Sequence, residues 1–512
     1  MNPIELNIFA SRLNAVCDEM GAVLQRTAFS PNIKDRLDFS CAVFDNKGEL
    51  CAQAAHIPVH LGSMAYAMRD IVSQYDWQTG DMLILNDPYL GGTHLPDVTL
   101  IAPVFVDAQL VGFVANRAHH ADIGSDTPGS MPITHLLEEE GMIIPPSFLI
   151  KRGKVDDALK DKIINSMRNQ HIGEGDFTAQ ISANQSGKAR LELLVGSMGN
   201  DGYVSGLVAL NEYAERLARS ALAIIPDGYY EFSDVMDDDG LGCRDIKITC
   251  SIKVTDGNVH VDFSGTADQT SGNINCPLSV AAAGVYYAFR CLMPAHTPAC
   301  AGSFRPISLQ APKGCLVNAR YPAAVAAGNV ETSTRIVDVV LGALAQAIPE
   351  KIPAASHGSM NNLAMGSDDP AQPWDYYETI GGGMGASKYS NGLNAVQTHM
   401  TNTLNTPIES LEMHYPLRIK RYAIRDSSGG KGKNKGGDGL IREFEFLAST
   451  NVTLLTERRT HSPWGLQEGD SGKPGMNRHD NKVLPGKINF KVEKGESLTI
   501  ETPGGGGWGK TD

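Results

Sequence analysis

The spacing of hydrophobic residues changes from helical to strand-like several times in the first part of the chain. Apolar side chains recur every three or four positions over residues 4–27, which predicts an amphipathic helix. Asp38 to Phe44 and Met82 to Leu85 are short apolar runs typical of strands, and helical spacing returns from about Leu61 to Tyr75. The N-terminal part is therefore predicted to combine helices with a sheet.

Two further β-rich runs predict an antiparallel hairpin. Residues 98–106 and 110–116 lie on either side of the short polar segment around Ala108. A turn centred on Ala108 pairs residues that lie at equal distances from it. Asp97 and His119 are each eleven positions from Ala108, so we expect them to face each other across the two strands.

The spacing of hydrophobic residues also divides the rest of the chain into helical and strand-like stretches. Residues 155–223 have helical spacing, with breaks expected at Gly196, Gly199, Gly202 and Gly206. Residues 229–310 alternate in the manner of strands, and residues 332–347 return to helical spacing. Short strand-like runs between glycine-rich loops continue to the C-terminus.

These elements predict an α+β fold of several domains, with mixed helices and largely antiparallel sheets. The pattern changes near residues 226 and 350. We therefore expect an N-terminal α/β region over 1–226 and a middle region over 227–350 that is first β-rich and then helical. A C-terminal region over 351–512 is expected to be β-rich with glycine-rich loops.

The composition is that of a folded protein with an acidic balance. Lys and Arg number 44 against 58 Asp and Glu, which leaves a net charge of −14. Such a balance argues against a protein that binds duplex nucleic acid and against docking to an anionic membrane. Glycine is in excess, at 53 residues, so many tight turns and close backbone approaches are expected.

The cysteine pattern and the chain start indicate the compartment. The nine cysteines are an odd number without a C-x-x-C pair, which argues against a disulfide framework. The first residues lack the basic start and apolar run of a signal peptide. The longest apolar stretch, Ser279 to Phe289, is about half as long as the roughly 20-residue span of a bilayer. We expect a cytoplasmic protein without a membrane segment.

Potential metal ligands are concentrated in residues 86–126, among glycine-rich turns. His94 precedes Asp97 by three positions on the loop that enters the hairpin, and His119 is expected opposite Asp97. Single histidines usually cap loops or bond to the backbone, but several converging donors favour a metal site. Imidazole and carboxylate ligands together suit Zn²⁺ or Mn²⁺, with Fe²⁺ as a further option.

Upstream residues can complete this site. Asp38 or Asp35 can supply a further carboxylate; alternatively, Asp38 only ends a strand and Asp35 pairs with a neighbouring base at the surface. His56 and His60 flank Pro58 and share a helical face only if the following helix begins early. We predict that both are loop residues lining the site, with metal ligation as the alternative.

Three other motifs have structural alternatives. Asp237–Gly240 lacks the remainder of an EF-hand loop, so a charged turn is predicted. Glu331, Arg335 and Asp338 share one face of the last predicted helix, where they form either an i,i+4 ion pair or a polar wall that faces substrate. Residues 429–437 are rich in Gly and Lys but lack the phosphate-loop pattern, so a flexible basic loop is predicted instead of an ATP site.

Taken together, the motifs resemble those of the hydantoinase B/oxoprolinase family. The family includes the B-type subunits of N-methylhydantoinase and caprolactamase, and related subunits of acetone and acetophenone carboxylases. The segments that carry the resemblance span nearly the whole chain: Gln25–Thr27, Asp38–Ala42, His56–Met64, Asn86–Tyr89, Gly91–Asp97, His119–Gly124, Gly328–Ser333, Tyr415–Arg418 and Thr502–Gly509. This chain departs from the family at Asp35, where Glu is usual, and at Lys433–Gly436, where Arg is commoner.

The resemblance implies a subunit that works with a larger actin-like ATPase, the A-type subunit, in an α2β2 or larger hetero-oligomer. ATP on that partner is thought to phosphorylate the amide or ketone oxygen. The resemblance also implies a divalent metal whose ligands map onto His94, Asp97 and His119 with an N-terminal acid. Asp38 is the first choice for that acid and Asp35 the second.

The implied reaction is the opening of a small cyclic amide such as hydantoin, 5-oxoproline or a lactam. Phosphorylation makes the carbonyl carbon electrophilic, and a metal lowers the pKa of a bound water toward 7, so that hydroxide can attack. His120 or Asp122 is expected to act as general base or to orient the ligands. The alternatives are a ketone carboxylase subunit and a non-catalytic scaffold for the ATPase.

Overall fold

A seven-stranded antiparallel sheet organises the N-terminal part of the protein. The computed structural model describes residues 1–54, 57–367, 369 and 373–511. The strands of this sheet lie in the spatial order β2-β1-β5-β4-β3-β6-β7. In chain order they are β1 (Phe39–Asp45), β2 (Leu50–Gln53), β3 (Met82–Leu85), β4 (Asp97–Val106), β5 (Gln109–His119), β6 (Ser147–Lys151) and β7 (Lys154–Val155).

Helices cover both faces of this sheet, which explains why its strands are apolar on both sides. Cys41 and Val43 of β1 join the core with helices α1 and α5, whereas Ala42 and Phe44 join the core with α3 on the other face. The helices of this part are α1 (Pro3–Thr27), α2 (Pro31–Lys34), α3 (Pro58–Val72), α4 (Asp157–Asn165), α5 (Gln170–Met198) and α6 (Asn200–Leu222).

Of the four glycines expected to interrupt the helical stretch, only Gly199 does so. It separates α5 from α6 with a φ of +73°, a conformation that glycine adopts without steric cost. Gly196, Gly202 and Gly206 lie inside helices. A further break over residues 166–169, between α4 and α5, is not predicted by the spacing.

A four-stranded sheet with three helices forms the middle of the chain. Its spatial order is β11-β10-β9-β8, and only the β10–β11 pair is parallel. The elements are β8 (Gly228–Asp238), β9 (Arg244–Thr255), β10 (Asn258–Asp262), α7 (Leu278–Arg290), α8 (Ala301–Phe304), β11 (Ile307–Gln310) and α9 (Ser333–Ala347). A five-residue π-helical turn, Gly328–Thr332, leads into α9.

The strand prediction for residues 229–310 is wrong for α7. This helix is buried and packs against both α3 and α9, so that its apolar residues point in all directions and hide the helical period. The contact with α3 is close: a Cβ on Gly62 would lie 2.6 Å from the Cα of Ala283.

The C-terminal part contains two sheets and one short helix. The first sheet has the order β13-β12-β16-β19 and the second β14-β15-β20-β17-β18. The elements are β12 (Asn362–Ser367), β13 (Trp374–Glu378), α10 (Ile408–His414), β14 (Leu417–Arg425), β15 (Gly439–Phe446), β16 (Thr450–Leu455), β17 (Met476–His479), β18 (Lys482–Leu484), β19 (Lys487–Val492) and β20 (Ser497–Glu501).

The glycine-rich segment 429–437 is packed, in contrast to the flexible loop predicted for it. Gly430 N–H donates to the carbonyl of Gly505 at 2.9 Å, and a Cβ on Gly436 would lie 2.0 Å from that same oxygen. Backbone therefore packs directly on backbone between this segment and residues 504–507. Glycine is required here because no side chain fits between the chains.

This mixture of helices and mostly antiparallel sheets confirms the predicted α+β fold class. Each sheet draws its described strands from one of the three predicted regions, while the boundaries near 226 and 350 stay a prediction. Within the described ranges, no helix has both the length and the apolar character needed to cross a bilayer.

Candidate metal centre

Three neighbouring strands bring acidic and imidazole side chains to one end of the seven-stranded sheet. β4 pairs with β5 so that Asp97 lies opposite His119, which confirms the predicted pairing. β1 pairs with the other side of β5, with Phe39 opposite Ala118, and His119 N–H donates to the carbonyl of Asp38 at 3.0 Å. Asp38, His119 and Asp97 therefore form a row across three strands.

His94, Asp97 and His119 form a fully buried group. Nε2 of His94 and Nδ1 of His119 each lie 3.3 Å from Oδ1 of Asp97. Among the described residues, Nε2 of His94, Oδ1 of Asp97 and Nε2 of His119 have no hydrogen-bond partner. Such atoms are rare in protein interiors, and one ligand atom from each residue lies within 4.8 Å of the others. The set fits a divalent ion that accepts nitrogen and oxygen ligands.

The second carboxylate oxygen of Asp97 is held by three side chains. Oδ2 accepts hydrogen bonds from Oγ1 of Thr93 at 2.7 Å and from Nδ2 of Asn329 at 3.1 Å. Nε2 of His60 lies 3.2 Å from the same oxygen. Asp97 therefore presents Oδ1 to the two imidazoles while Oδ2 is fixed by the surrounding protein, an arrangement suited to a monodentate metal ligand.

The backbone orients His94. Its Nδ1 lies 3.1 Å from the carbonyl oxygen of Ala326. Because a carbonyl can only accept, Nδ1 donates to it, and Nε2 is the ring nitrogen that faces Asp97. Glu140 in turn accepts the backbone N–H groups of Val325 and Ala326 at 2.8 Å each, which holds this carbonyl in place.

His119 is oriented by stacking. Its ring lies on that of Tyr377, with the ring centroids 4.6 Å apart and the planes 12° from parallel. The guanidinium of Arg36 lies 5.0 Å from the Tyr377 ring centroid, and Arg36 also donates to the Tyr377 carbonyl at 2.9 Å. The tyrosine ring is thus fixed in position behind His119.

The electrostatics of the group favour an ionised Asp97. Burial alone raises the pKa of this carboxyl, but His60 and His94 outweigh burial and hold it well below its usual value. Burial likewise acts to lower the pKa of His94, yet the Asp97 charge raises it overall, whereas the pKa of His119 is lowered by burial. The centre is therefore an anionic carboxylate enclosed by imidazoles, to which a cation is attracted.

His60 is closer to the site than the sequence suggests. The prediction of a loop residue is wrong, because α3 begins at Pro58 and His60 lies in the first helical turn. Pro is favoured at the first position of a helix, which is the signal that could have identified this early start. Nδ1 of His60 lies 3.5 Å from Oγ of Ser40, and the ring is 2% exposed. His56 lies outside the described residues.

Of the two candidate acids, the structure brings Asp38 to the group. Oδ1 of Asp38 lies 4.0 Å from Nε2 of His60, and its other oxygen lies 3.6 Å from the guanidinium of Arg36. The sequence also allowed a surface ion pair between Asp35 and a neighbouring base. Arg36 is buried and therefore does not form such a surface pair. Asp35 is half-buried and lines a separate cavity of about 330 Å³ together with Tyr415.

The contacts of His120 and Asp122 lie elsewhere. His120 directly follows the last residue of β5, and its side chain contacts α5, where it stacks on Phe177 and bonds Oε1 of Gln180 at 2.9 Å. Asp122 accepts the N–H groups of Gly124 at 2.8 Å and of Arg168 at 2.5 Å. These contacts bring neither side chain to Asp97. The general-base and ligand-orienting functions predicted for His120 and Asp122 therefore stay predictions.

The acidic turn predicted at Asp237–Gly240 binds backbone. Asp237 accepts the N–H groups of residues 459–461, and Asp239 accepts those of Leu241 and Cys243. Asp237 and Asp238 are the last residues of β8, so the predicted charged turn is found only for Asp239 and Gly240.

The helix face predicted at Glu331, Arg335 and Asp338 is a buried polar cluster. Arg335 lies 3.4 Å from Asp338, three positions further along the helix, and 3.2 Å from Glu457, so its ion pairs differ from the predicted i,i+4 pair with Glu331. Glu331 instead accepts the N–H of Met360 and the amide of Asn362.

One other group in the described part of the chain has a metal-like composition. His479, Asp480 and Glu496 lie near the surface of the β17–β18 hairpin. Nε2 of His479 already bonds Glu496 at 2.9 Å, and Asp480 accepts the N–H of Ser497. Their polar atoms therefore have partners, unlike those of the buried group around Asp97.

Comparison with known proteins gives a consistent result. The hydantoinase B/oxoprolinase family model matches residues 2–511. 5-Oxoprolinase 1 of Arabidopsis thaliana is 40% identical over 99% of this chain, which spans only 42% of the relative's own length. A protein of Pseudomonas sp. (strain NS671) named as the B-type subunit of a D-/L-hydantoinase is 32% identical over 99% of this chain and 90% of its own.

A solved structure shares the fold over the entire chain. The crystal structure of the ATP-dependent caprolactamase from Pseudomonas jessenii superposes with a TM-score of 0.92 at 28% identity, covering 100% of this chain and 91% of its own. The family match and the structural match cover nearly the same residues of this chain. The chain therefore belongs to the hydantoinase B/oxoprolinase family.

Proposed function

We propose that this chain is the metal-binding subunit of an ATP-dependent amidohydrolase that opens a cyclic amide. The observation that carries the proposal is the buried group of His94, Asp97 and His119, which offer one ligand atom each within 4.8 Å of one another. Nε2 of His94 and Oδ1 of Asp97 have no hydrogen-bond partner among the described residues. Relatives named for 5-oxoproline, hydantoin and caprolactam all take their names from cyclic amides, which supports this substrate class.

The proposed metal is Zn²⁺ or Mn²⁺, held by His94, Asp97 and His119 with Asp38 as the additional acid. A divalent ion in such a site acts as a Lewis acid and lowers the pKa of a coordinated water toward 7. The chain's own contribution is to fix the ligands: Ala326 orients His94, Thr93 and Asn329 fix Asp97, and Tyr377 fixes the ring of His119.

Burial has a second effect on the proposed chemistry. His94 and Asp97 are fully shielded from solvent, and His119 is 2% exposed. In such an environment electrostatic interactions are stronger than in water, so a polarised carbonyl gains more from a nearby cation. One oxygen of Asp38 lies 3.6 Å from Arg36, and Oδ1 lies 4.0 Å from Nε2 of His60.

Activation by ATP is proposed to occur on a partner. An unactivated amide is a poor electrophile, and the sequence lacks a phosphate-loop motif. The chain spans 42% of the length of the 5-oxoprolinase relative, and the hydantoinase relative is named as one subunit of its enzyme. We therefore propose an A-type ATPase subunit as the partner, in a hetero-oligomer of α2β2 composition or larger.

Co-expression with the A-type subunit tests this function. The purified complex is assayed for ATP-dependent loss of hydantoin, 5-oxoproline and caprolactam, and its metal content is measured by mass spectrometry. His94→Ala is the inactive variant, and Gln346→Ala, on the distal side of α9 where it bonds the Glu231 carbonyl, is a matched surface control.

The expected result is turnover of one of these cyclic amides with one metal ion per chain, both lost in His94→Ala. Consumption of acetophenone only with bicarbonate would replace the hydrolase with a ketone carboxylase. Full turnover by a metal-free complex, or by His94→Ala, would refute the metal centre and leave the scaffold function.

A further inference from the structure

We infer that one short segment, Ala326–Glu331, is the element that positions all three metal-facing side chains. This inference rests on the proposed metal centre and goes beyond it, because it assigns positioning residues that lie far away in the chain. The segment contains most of the π-helical turn that leads into α9. Irregular turns of this kind are frequent at functional sites.

The first contact is from the backbone of the segment. The carbonyl of Ala326 accepts the Nδ1 proton of His94 at 3.1 Å. Because this bond fixes the tautomer, Nε2 of His94 is available toward Asp97. Glu140, fully buried, fixes the backbone of the segment at the same point by accepting the Ala326 N–H at 2.8 Å.

The second contact is from Asn329, three residues further along. Its Nδ2 donates to Oδ2 of Asp97 at 3.1 Å, across a sequence separation of 232 residues. Asn329 is 2% exposed, so water does not compete for this bond. The bond holds the carboxylate with Oδ1 turned toward His94 and His119.

The third contact is indirect and reaches His119. Oε1 of Glu331 accepts Nδ2 of Asn362 at 2.6 Å, and Oδ1 of Asn362 accepts the hydroxyl of Tyr377 at 2.6 Å. The Tyr377 ring then stacks on His119. Since Nε2 of His119 has no hydrogen-bond partner among the described residues, this stacking is what fixes the plane of the ring on that side.

The π-helical geometry explains how one segment makes these contacts. Gly328 approaches the backbone of Asn275 so closely that a Cβ would lie 1.8 Å from its carbonyl oxygen. Asn329 and Glu331 are two positions apart, and in the wider π-helical turn they reach Asp97 and Asn362 respectively. Substitutions in this segment are therefore expected to change metal affinity by displacing the side chains of His94, Asp97 or His119.

Metal affinity is the measurement that tests the inference. A chelator first removes bound metal from the 512-residue chain, and Zn²⁺ is then titrated in competition with a chromophoric chelator. We expect Asn329→Ala to weaken Zn²⁺ binding by about 10- to 100-fold and Tyr377→Phe by about 10-fold, the loss typical of groups that orient ligands. Glu331→Gln retains Oε1 as an acceptor and is expected to bind Zn²⁺ as the wild type does.

Two controls separate positioning from a general loss of stability. Tyr376 is the neighbour of Tyr377 in β13, equally buried, and its hydroxyl donates to Glu378 at 2.6 Å, away from the site. Asn184 is a buried asparagine on the α5 side of the sheet that donates to the Leu100 carbonyl. Tyr376→Phe and Asn184→Ala are expected to lower the urea midpoint but to leave the affinity for Zn²⁺ within about twofold, since neither touches a ligand.

A spectroscopic readout complements the affinities. With Co²⁺ in place of Zn²⁺, the visible absorption bands report ligand geometry, and we expect them to shift in Tyr377→Phe but not in Tyr376→Phe. Wild-type affinity in both Asn329→Ala and Tyr377→Phe would overturn the inference while leaving the metal centre intact. Equal losses in the controls would also overturn it. Absence of Zn²⁺, Mn²⁺ and Co²⁺ binding by the wild type would instead overturn the proposed metal centre itself.

Discussion

Asp97 and His119 are direct partners across β4 and β5, even though the hairpin turn is not centred on Ala108. The turn consists of Asp107 and Ala108, which both have positive φ, as in the tight turns that favour hairpins. A bulge at Val111 then shifts the register by one residue before the strands reach the site. The predicted pairing is therefore correct because the bulge compensates for the displaced turn.

Replacing Asp97 by Asn should abolish stoichiometric metal binding. The substitution preserves the volume but removes the negative charge that lies 3.3 Å from both imidazoles. Metal per chain, measured by mass spectrometry after gel filtration, is expected to fall from about one to near zero. Asp122→Asn is the control, because Asp122 bonds backbone N–H groups instead. If Asp122→Asn loses the metal as completely as Asp97→Asn, the assignment of the centre is wrong.

Replacing His60 by Leu should weaken metal binding without abolishing it. Nε2 of His60 lies 3.2 Å from the oxygen of Asp97 that faces away from the other two histidines, so its loss affects the orientation of Asp97. We expect about a 10- to 100-fold lower Zn²⁺ affinity with unchanged stoichiometry at saturation. His120→Leu, which breaks the bond to Gln180 on the other face, should cost about 1–3 kcal/mol of stability and leave the affinity unchanged. An unchanged affinity in His60→Leu would show that Asp97 is fixed without it.

Glu140 should make the metal-free protein less stable as the pH rises. Burial raises the pKa of this carboxyl to about 8, so between its unfolded value near 4.3 and about 8 the folded state holds a proton that the unfolded chain has released. Its stabilising contribution is complete below that range and is lost as the pH rises through it. Glu140→Gln has no proton to release. The urea midpoint of Glu140→Gln, relative to that of the wild type, should therefore be higher at pH 8 than at pH 5. If the midpoints of the two proteins change with pH in parallel, the raised pKa of Glu140 is contradicted.

Replacing Gly436 by Ala adds one methyl group to the glycine-rich segment 429–437 and should destabilise the C-terminal part. A Cβ on Gly436 would lie 2.0 Å from a backbone oxygen, which cannot move aside easily, and we expect Gly436→Ala to cost at least about 1–3 kcal/mol. Gly196 lies inside α5 with open space around it, so Gly196→Ala should instead stabilise the protein by about 0.5–1 kcal/mol. Thermal unfolding of the two variants measures the contrast. Equal stability would mean that the segment 429–437 is not packed as described.

Local pattern is sufficient for the regular elements and fails where burial is complete. The bounds of α1, β3 and β4 follow from side-chain periodicity to within one residue, because each has one recognisable buried face or a short apolar run. The strand β5 extends three residues beyond its predicted end at residue 116, to His119. The helix α7 escapes the pattern because it is enclosed by other helices, so no polar face marks its period. The glycine segment 429–437 is predicted to be flexible because composition alone does not show that its partner is a second glycine segment.

The sequence by itself determined the α+β class, the family, and the three side chains His94, Asp97 and His119, because a hairpin register and a short spacing are local properties. Tertiary structure alone decided which residues surround them. Asn329 and Tyr377 reach the site from more than two hundred residues away in the chain, and a contact over such a distance leaves no periodic signal. Tertiary contacts with α5 likewise place the His120 side chain against Phe177 and Gln180, although His120 is the next residue after His119.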